Sequence, residues 1–424
     1  MKRTLKRIVG ARNAGKLGLC RSLVLLNTRR LLGGVLPGRF GLLRTPARIF
    51  SSKKHHIFFG YYDITPFSKD ESLLLAIHAP PVNETPRIGS EVKVGWYDLR
   101  NAHSEFHETG KTSTWCWQQG CRLQWYPSDD SRTVLYNSLV DGTYGCVVQD
   151  IYTGEIKRRY PRAAYCVSPN GSLALSLNFS RLQRLRPGYG YSNLSDETRG
   201  VLLPRDDGLW RMNMHTGKST LLFSLADIAA YAPTESMRGA EHYFNHLLFS
   251  PDGSRFLFIH LWNSRGNRCG RMITSDLAGG NIHLLNNEGH TSHYSWKSNT
   301  EILAFATHKE LGSHYYLYDD TSENRKVIAQ GILTEDGHPS FSRDGGTIVT
   351  DTYPDKYSVQ RLLMYRIDTD ELLTLFECLS PLSYRGEVRC DLHPRISPCE
   401  SYVCVDSIVK GRRAMSVFNV KAFI

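Results

Sequence analysis

Seven copies of one short unit run through this 424-residue chain. Each unit is an apolar residue, a polar turn of Ser-Pro-Asp-Gly type, and a short strand of alternating character. Further strand pairs lie between copies, and most copy-to-copy steps fall near the roughly 40 to 50 residues of a four-stranded sheet. Together these observations predict an all-β fold, a seven-bladed β-propeller at residues 55–424 behind a basic N-terminal extension at residues 1–54. Six blades plus an embellishment is the alternative count, because the first two copies are the least regular.

The copies are TPFSKDESLLLAIHA (65–79), WYPSDDSRTVLYNSL (125–139), CVSPNGSLALSLNF (166–179), LLFSPDGSRFLFIHLW (247–262), YSWKSNTEILAFATH (294–308), PSFSRDGGTIVTDTYP (339–354) and PRISPCESYVCVDSI (394–408). An Asp-Gly turn or its equivalent between two apolar runs marks a hairpin, because such turns need residues that tolerate positive φ. The intervening stretches 271–285 and 362–376 each read as another strand pair. With turns centred at 70, 129, 170, 252, 299, 344 and 399, the steps are 59, 41, 82, 47, 45 and 55. The step of 82 holds an insertion, centred on 180–200, whose Gly, Pro, Arg and Tyr content suits a long loop over one face.

The composition, 41% hydrophobic and 22% charged, supports a large core. No run reaches the roughly 18 uncharged apolar residues of a membrane-spanning helix. The net charge of +11 is concentrated at one end: residues 1–54 carry 14 of the 52 Lys and Arg and no Asp or Glu, leaving the remainder at −3. The body is therefore not a nucleic-acid binder. The extension mixes these cations with Leu, Ile and Val, a composition suited to a flexible tail or to peripheral contact with an anionic membrane. Ten irregularly spaced cysteines without a Cys-x-x-Cys pair suggest a reducing compartment, the cytoplasm or the inner face of its membrane.

The repeat also places histidines in register. Counting back three residues from the last apolar residue of four successive inner strands (Phe249, Trp296, Phe341 and Ile396) gives His246, His293, His338 and His393. Four neighbouring blades thus offer imidazole at one equivalent position near the axis. Neutral imidazole is the commonest transition-metal ligand, so the set reads as a cage for a divalent metal (Mn, Zn or Ni) or a shared ligand; hydrogen bonding between strands is the alternative role. His242 and His290 lie just upstream, and Tyr61, Tyr62 and Asp63 of FFGYYDITPF occupy the matching loop of the first blade. Asp351 and Asp406 end strands that return toward the same face and are candidates to orient the imidazoles. Trp117, Trp125 and Tyr353 offer flat surfaces for sugar rings or for packing between blades.

The motifs DGHPSFSRDGGTIVTDTYP and RCDLHPRISPCESYVCVDS resemble those of TolB-like propellers, and within them most resemble the bacterial oligogalacturonate lyase group. The resemblance spans Glu241 to Ser407. It implies that His246, His293, His338 and His393 are metal-site histidines and that Arg389 or Arg395 accepts a substrate carboxylate. Where that group has a glutamine and a second histidine around the last one, this chain has Cys390 and Arg395. The FGYYD opening is also similar to bacterial propellers associated with surface-polysaccharide synthesis.

Two functions follow as expectations. One is a propeller that binds an acidic oligosaccharide or a protein partner at the His-rich face, with Arg389, Tyr61, Tyr62 and Asp63 as binding residues. The other is a metal-dependent lyase that cleaves uronic-acid oligosaccharides by β-elimination, with His242 or His290 as base and Arg395 neutralising charge.

Overall fold

The structure, a computed structural model, describes residues 40–42, 47–129, 131–288 and 290–424. Seven sheets follow one another around an axis, each built on consecutive antiparallel strands, and two of them take a further strand from the N-terminal part of the chain. Blade 1 holds His56–Phe58, Leu73–Ala79, Val92–Asp98 and His107–Thr112; blade 2 starts at Gln124–Trp125 and blade 3 at Cys166–Val167. Blade 4 runs from Glu241–Phe249, blade 5 from His290–Trp296, blade 6 from Ser340–Phe341 and blade 7 from Arg395–Ile396. All seven turn motifs read from the sequence fall one to a blade, which excludes the count of six.

The turn chemistry explains why the motif recurs. Ser68, Ser168, Ser250 and Ser342 each donate from Oγ to the Asp or Asn two residues on, at 2.6 to 2.8 Å. The same hydroxyls accept the backbone N–H five residues on, from Leu73, Leu173, Arg255 and Thr347. The next residue takes positive φ: Gly171 at 73°, Gly253 at 71° and Gly345 at 71°. A polar tripeptide thereby closes these four inner hairpins largely through local bonds.

The last blade is completed from the other end of the chain. Ala47–Phe50 pairs antiparallel with Arg412–Asn419, Phe50 lying opposite Met415. Phe40–Leu42 adds a parallel fifth strand to blade 6. Part of the segment read as an extension is thus sheet, and the ring is closed by hydrogen bonds between the two ends of the described chain, which also covers an exposed edge. Residues 1–39, on which the expected membrane contact falls, lie outside the described residues. Among the described residues no helix is long and apolar enough to cross a membrane.

The insertion after the second strand of blade 3 begins with a short helix, α1 (Phe179–Leu185), where the sequence suggested loop throughout. Asn178 caps it by accepting from the Arg181 N–H. A second helix, α2 (Leu225–Ala230), follows blade 3 with a Ser224/Asp227 capping box. Arg181, fully buried, fastens the insertion by donating to the carbonyls of His242, Thr198, Val201 and Leu202.

Closure can be tested at Phe50, which is buried against Tyr97 with ring centroids 4.5 Å apart. Phe50→Ala should lower unfolding stability by about 3 kcal/mol and reduce the urea midpoint without changing the far-ultraviolet dichroism of the folded protein.

Candidate functional site

The four register histidines meet at the axis. Ring centroids are 5.8 Å apart for His246–His293, 4.1 Å for His293–His338 and 4.3 Å for His338–His393. Local backbone geometry aims them inward. The inner strand of blade 4 breaks register between Asn245 and Leu248, and that of blade 5 between Thr291 and Tyr294. These bulges contain His246 and His293. His246 and His393 also adopt φ of 54° and 47°, a conformation unfavourable to a residue with a Cβ and sustained here by the surrounding packing.

The FGYYD segment fills the centre. Tyr61 lies 4.8 to 6.2 Å, centroid to centroid, from all four imidazoles, and stacks on that of His246. Tyr62 donates to the Tyr294 carbonyl at 2.8 Å and accepts the Tyr294 N–H at 2.9 Å. Gly60 is at φ 130°, and a Cβ there would meet the Gln119 carbonyl carbon at 3.0 Å, so this position requires glycine. Its carbonyl accepts from His393 Nδ1 at 2.7 Å.

Each imidazole has one nitrogen engaged and the other buried without a hydrogen-bond partner, His393 Nε2 lying 3.8 Å from the Asp391 carboxylate. His293 Nδ1 meets the Asp336 carboxylate at 3.1 Å, and His338 Nδ1 meets that of Asp351 at 2.8 Å. With His393 held by Gly60, three rings have their Nδ1 protons fixed, and their Nε2 atoms are buried with no hydrogen-bond partner. This is the tautomer in which Nε2 carries a free lone pair. Asp351 also accepts the backbone N–H of His338 and of His393, so one carboxylate aligns two neighbouring blades.

His246 is arranged the other way. Asn245 turns its oxygen to the Tyr165 hydroxyl and its amide N–H to His246 Nε2 at 3.1 Å. Nε2 therefore accepts, and the unpartnered Nδ1 carries the proton. The register thus contains three prospective ligands and one hydrogen-bond donor.

Burial lowers the pKa of His246 and His393, and takes His293 down to about 4 despite Asp336, so these rings are neutral. Burial would also lower His338, but Asp351 and two further carboxylates raise it above its ordinary value.

Asp391 was not singled out in the sequence, although it stands two residues before His393 in RCDLHPR. The ligand-capable atoms of His338, Asp391 and His393 all lie within 4.8 Å of one another. Asp391 accepts from Arg389 Nε at 2.7 Å, and Arg389 Nη2 donates to the Tyr189 hydroxyl at 2.5 Å. Arg186 lies over the ring of the same tyrosine, its guanidinium 4.0 Å from the Tyr189 ring centroid. Arg186 Nε is buried and unpartnered, and among the described residues no carboxylate forms an ion pair with it. Burial would raise the Tyr189 hydroxyl, yet Arg186 and Arg389 bring it below its ordinary value. Arg186 and Tyr189 come from the insertion, whose sequence signalled only a loop over this face.

The other candidates separate. His290 lines a small cavity with Arg186, His246 and Arg268, beside the ring. His242 does not reach it: fully buried in blade 4, it bonds His260 at 2.8 Å and the Met237 carbonyl at 3.3 Å. Arg395 is buried against Asp406 at 2.9 Å and donates to the Gly60 carbonyl at 2.8 Å, which commits its fork to the fold. Asp63 forms a two-pronged pair with Arg122 at 3.1 and 2.8 Å. Of the expected orienting carboxylates, Asp351 performs that task, whereas Asp406 holds Arg395 and the backbone of Phe59 and Gly60. Trp117 and Trp125 are buried, their indole N–H groups donating to the carbonyls of Glu84 and Pro66. Tyr353 faces His293 and His338.

Neither a protein-family model nor a curated protein matches the sequence. Solved structures do. The chain is similar to an oligogalacturonate lyase from Vibrio parahaemolyticus at 12% identity, with a TM-score of 0.61 over 90% of this chain and 99% of that one. An oligogalacturonate lyase in complex with manganese aligns at 13% identity and a TM-score of 0.58, over 89% and 96% of the two chains. TolB from Acinetobacter baumannii aligns more weakly, at 15% identity and a TM-score of 0.40 over 79% and 78%. At these identities the likeness is one of fold, and it matches the resemblance carried by the two C-terminal motifs.

His242 provides a test of the blade 4 network. Burial depresses its pKa from 6.5 to about 4. The unfolded chain therefore binds a proton that the folded chain refuses as pH falls from 6.5 toward 4, and stability present above that window is lost within it. His242→Gln should reduce this pH dependence by up to one proton per molecule, read from urea unfolding at a series of pH values.

Proposed function

We propose that this face binds a uronic-acid oligosaccharide, with a divalent transition metal held by Nε2 of His293, His338 and His393 and assisted by Asp391. The observation that carries the reading is the set of three buried, unpartnered Nε2 atoms, each with its opposite nitrogen fixed by a carboxylate or carbonyl. An unsatisfied buried acceptor costs about 1 to 3 kcal/mol, so three of them on adjacent blades around one axis favour a shared cation over a hydrogen-bonding role between strands alone. The residues fit Mn, Zn or Ni, which accept imidazole with carboxylate. A solved neighbour of the same fold is a lyase in complex with manganese. Bound there, the metal supplies positive charge for a sugar carboxylate. Arg186, without an acid partner, offers a second charge for that group, and His246 offers its Nδ1–H to a sugar oxygen.

Dialysed protein should take up one Mn, Zn or Ni per chain by elemental analysis and bind oligogalacturonate by calorimetry. His338→Ala should abolish both. Asp351→Asn, which weakens the orientation of two blades, should reduce metal affinity by about 10- to 100-fold. Metal-free wild-type protein that binds the glycan equally well would contradict the metal assignment.

β-Elimination is a second reading, favoured by Tyr189. Its hydroxyl accepts from Arg389 and its ring lies under the Arg186 guanidinium, two cations that favour the phenolate, so it is suited to take the proton from the carbon beside the sugar carboxylate. The electron pair then forms the carbon–carbon double bond as the glycosidic oxygen leaves with its bonding pair and takes up a proton, and no redox partner is required. Of the bases expected from sequence, His242 is committed elsewhere and His290 lines the small cavity beside the ring; Arg395, expected to neutralise charge, is held by Asp406. Tyr189→Phe should lower formation of unsaturated uronate, followed by ultraviolet absorbance, by about 100-fold or more while leaving metal content and glycan affinity within a factor of about 3.

A further inference from the structure

The insertion in blade 3 builds a second concavity that the histidine ring does not use. A cleft of about 590 Å³ opens between this insertion and the linker joining blades 2 and 3. On its wall the Arg162 guanidinium lies over the Trp210 ring, 3.8 Å from the centroid. Asp207 fixes that platform by accepting from Trp210 Nε1 at 3.0 Å and from Asn178 Nδ2 at 2.7 Å. It makes no ion pair with Arg162, and among the described residues no acceptor takes the Arg162 donors. Burial lowers the Arg162 pKa below its ordinary value. A guanidinium that is half-buried, laid flat and short of acceptors is a ready fork for an oxyanion.

The rest of the lining narrows the class. Glu197 and Asp206 stand exposed on the cleft, giving it three carboxylates against one guanidinium. They repel a doubly charged phosphate more strongly than a singly charged carboxylate. A sugar carboxylate carries a single charge, and its neighbouring hydroxyls donate to those acids. The volume is within the range of small-ligand sites.

The geometry points to a second carbohydrate site in this cleft, taking a uronic-acid residue with its carboxylate on Arg162 and its hydroxyls on Glu197 and Asp206. It shares its ligand class with the reading of the ring but none of its residues. Asn178 and Ser180, at the start of α1, line the cleft, and Arg186, just past its end, lines the cavity beside the ring. Along the helix that separation is about 12 Å, so one short element borders the cleft at its start and the cavity beside the ring at its end.

Titration of the full chain with monomeric galacturonate, followed by calorimetry and tryptophan fluorescence, tests the assignment. Wild-type protein should bind two molecules per chain, Arg162→Gln one, His338→Ala one, and the double variant none. Galactose, which lacks the carboxylate, should not bind, and inorganic phosphate should compete at least about 10-fold more weakly. If Arg162→Gln titrates as wild type while His338→Ala loses all binding, the cleft site is overturned and the ring reading stands. If Arg162→Gln loses all binding while His338→Ala titrates as wild type, the reverse holds. Phosphate competing as well as galacturonate would overturn the ligand class. Should His338→Ala fail to fold, His338→Gln serves in its place.

Discussion

The arrangement at the axis depends on one buried ion pair, Arg395 with Asp406. Asp406 gathers the backbone N–H groups of Phe59 and Gly60, and Arg395 takes the carbonyls of Gly60 and Tyr61. These contacts run from the last blade to the segment leading into the centre from the first. Removing either partner leaves an uncompensated buried charge, a loss of roughly 3 to 5 kcal/mol. More specifically, it would release the carbonyl that fixes the His393 tautomer. The pair that seats Tyr61 is therefore also the remote support of one prospective metal ligand.

The other supports follow the same logic. A propeller draws polar strand ends toward its axis, where water is scarce, and each buried polar atom needs a partner. Asp351 answers for two backbone N–H groups and one imidazole, and Asp336 for another imidazole. Among the buried side-chain atoms left without a hydrogen-bond partner, three Nε2 atoms, His246 Nδ1 and Arg186 Nε belong to this one site. Their grouping on neighbouring blades around one axis has the form of a binding site rather than of a packing defect.

How much of this the sequence discloses depends on the range of the interaction. The hairpins are legible because Ser, Asp and Gly close them within six residues, and the histidine register is legible because the repeat carries it from blade to blade. The orienting role of Asp351 could be read from its strand end. Asp336 and Asp391 gave no periodic signal, and Arg186 and Tyr189 come from an insertion with no counterpart in other blades. Nor does a sequence reveal which cations are already spent. Arg395 and Arg389 sit six residues apart beside the same histidine, yet one is locked on Asp406 and the other reaches Tyr189. His242 looks like a neighbour of the register, but strand alternation and a bulge turn it toward His260. The closing strand Ala47–Phe50 was hidden by the basic composition around it, since its partner lies more than 360 residues away.

The most direct examination of the central claim is an X-ray structure of manganese-soaked crystals with anomalous data collected at the manganese edge. The account predicts a single anomalous peak at the axis, bonded to Nε2 of His293, His338 and His393, with Asp391 at hand and His246 outside the coordination sphere. Absence of a peak, with each of those Nε2 atoms bonded to ordered water or to its own strand, would contradict it.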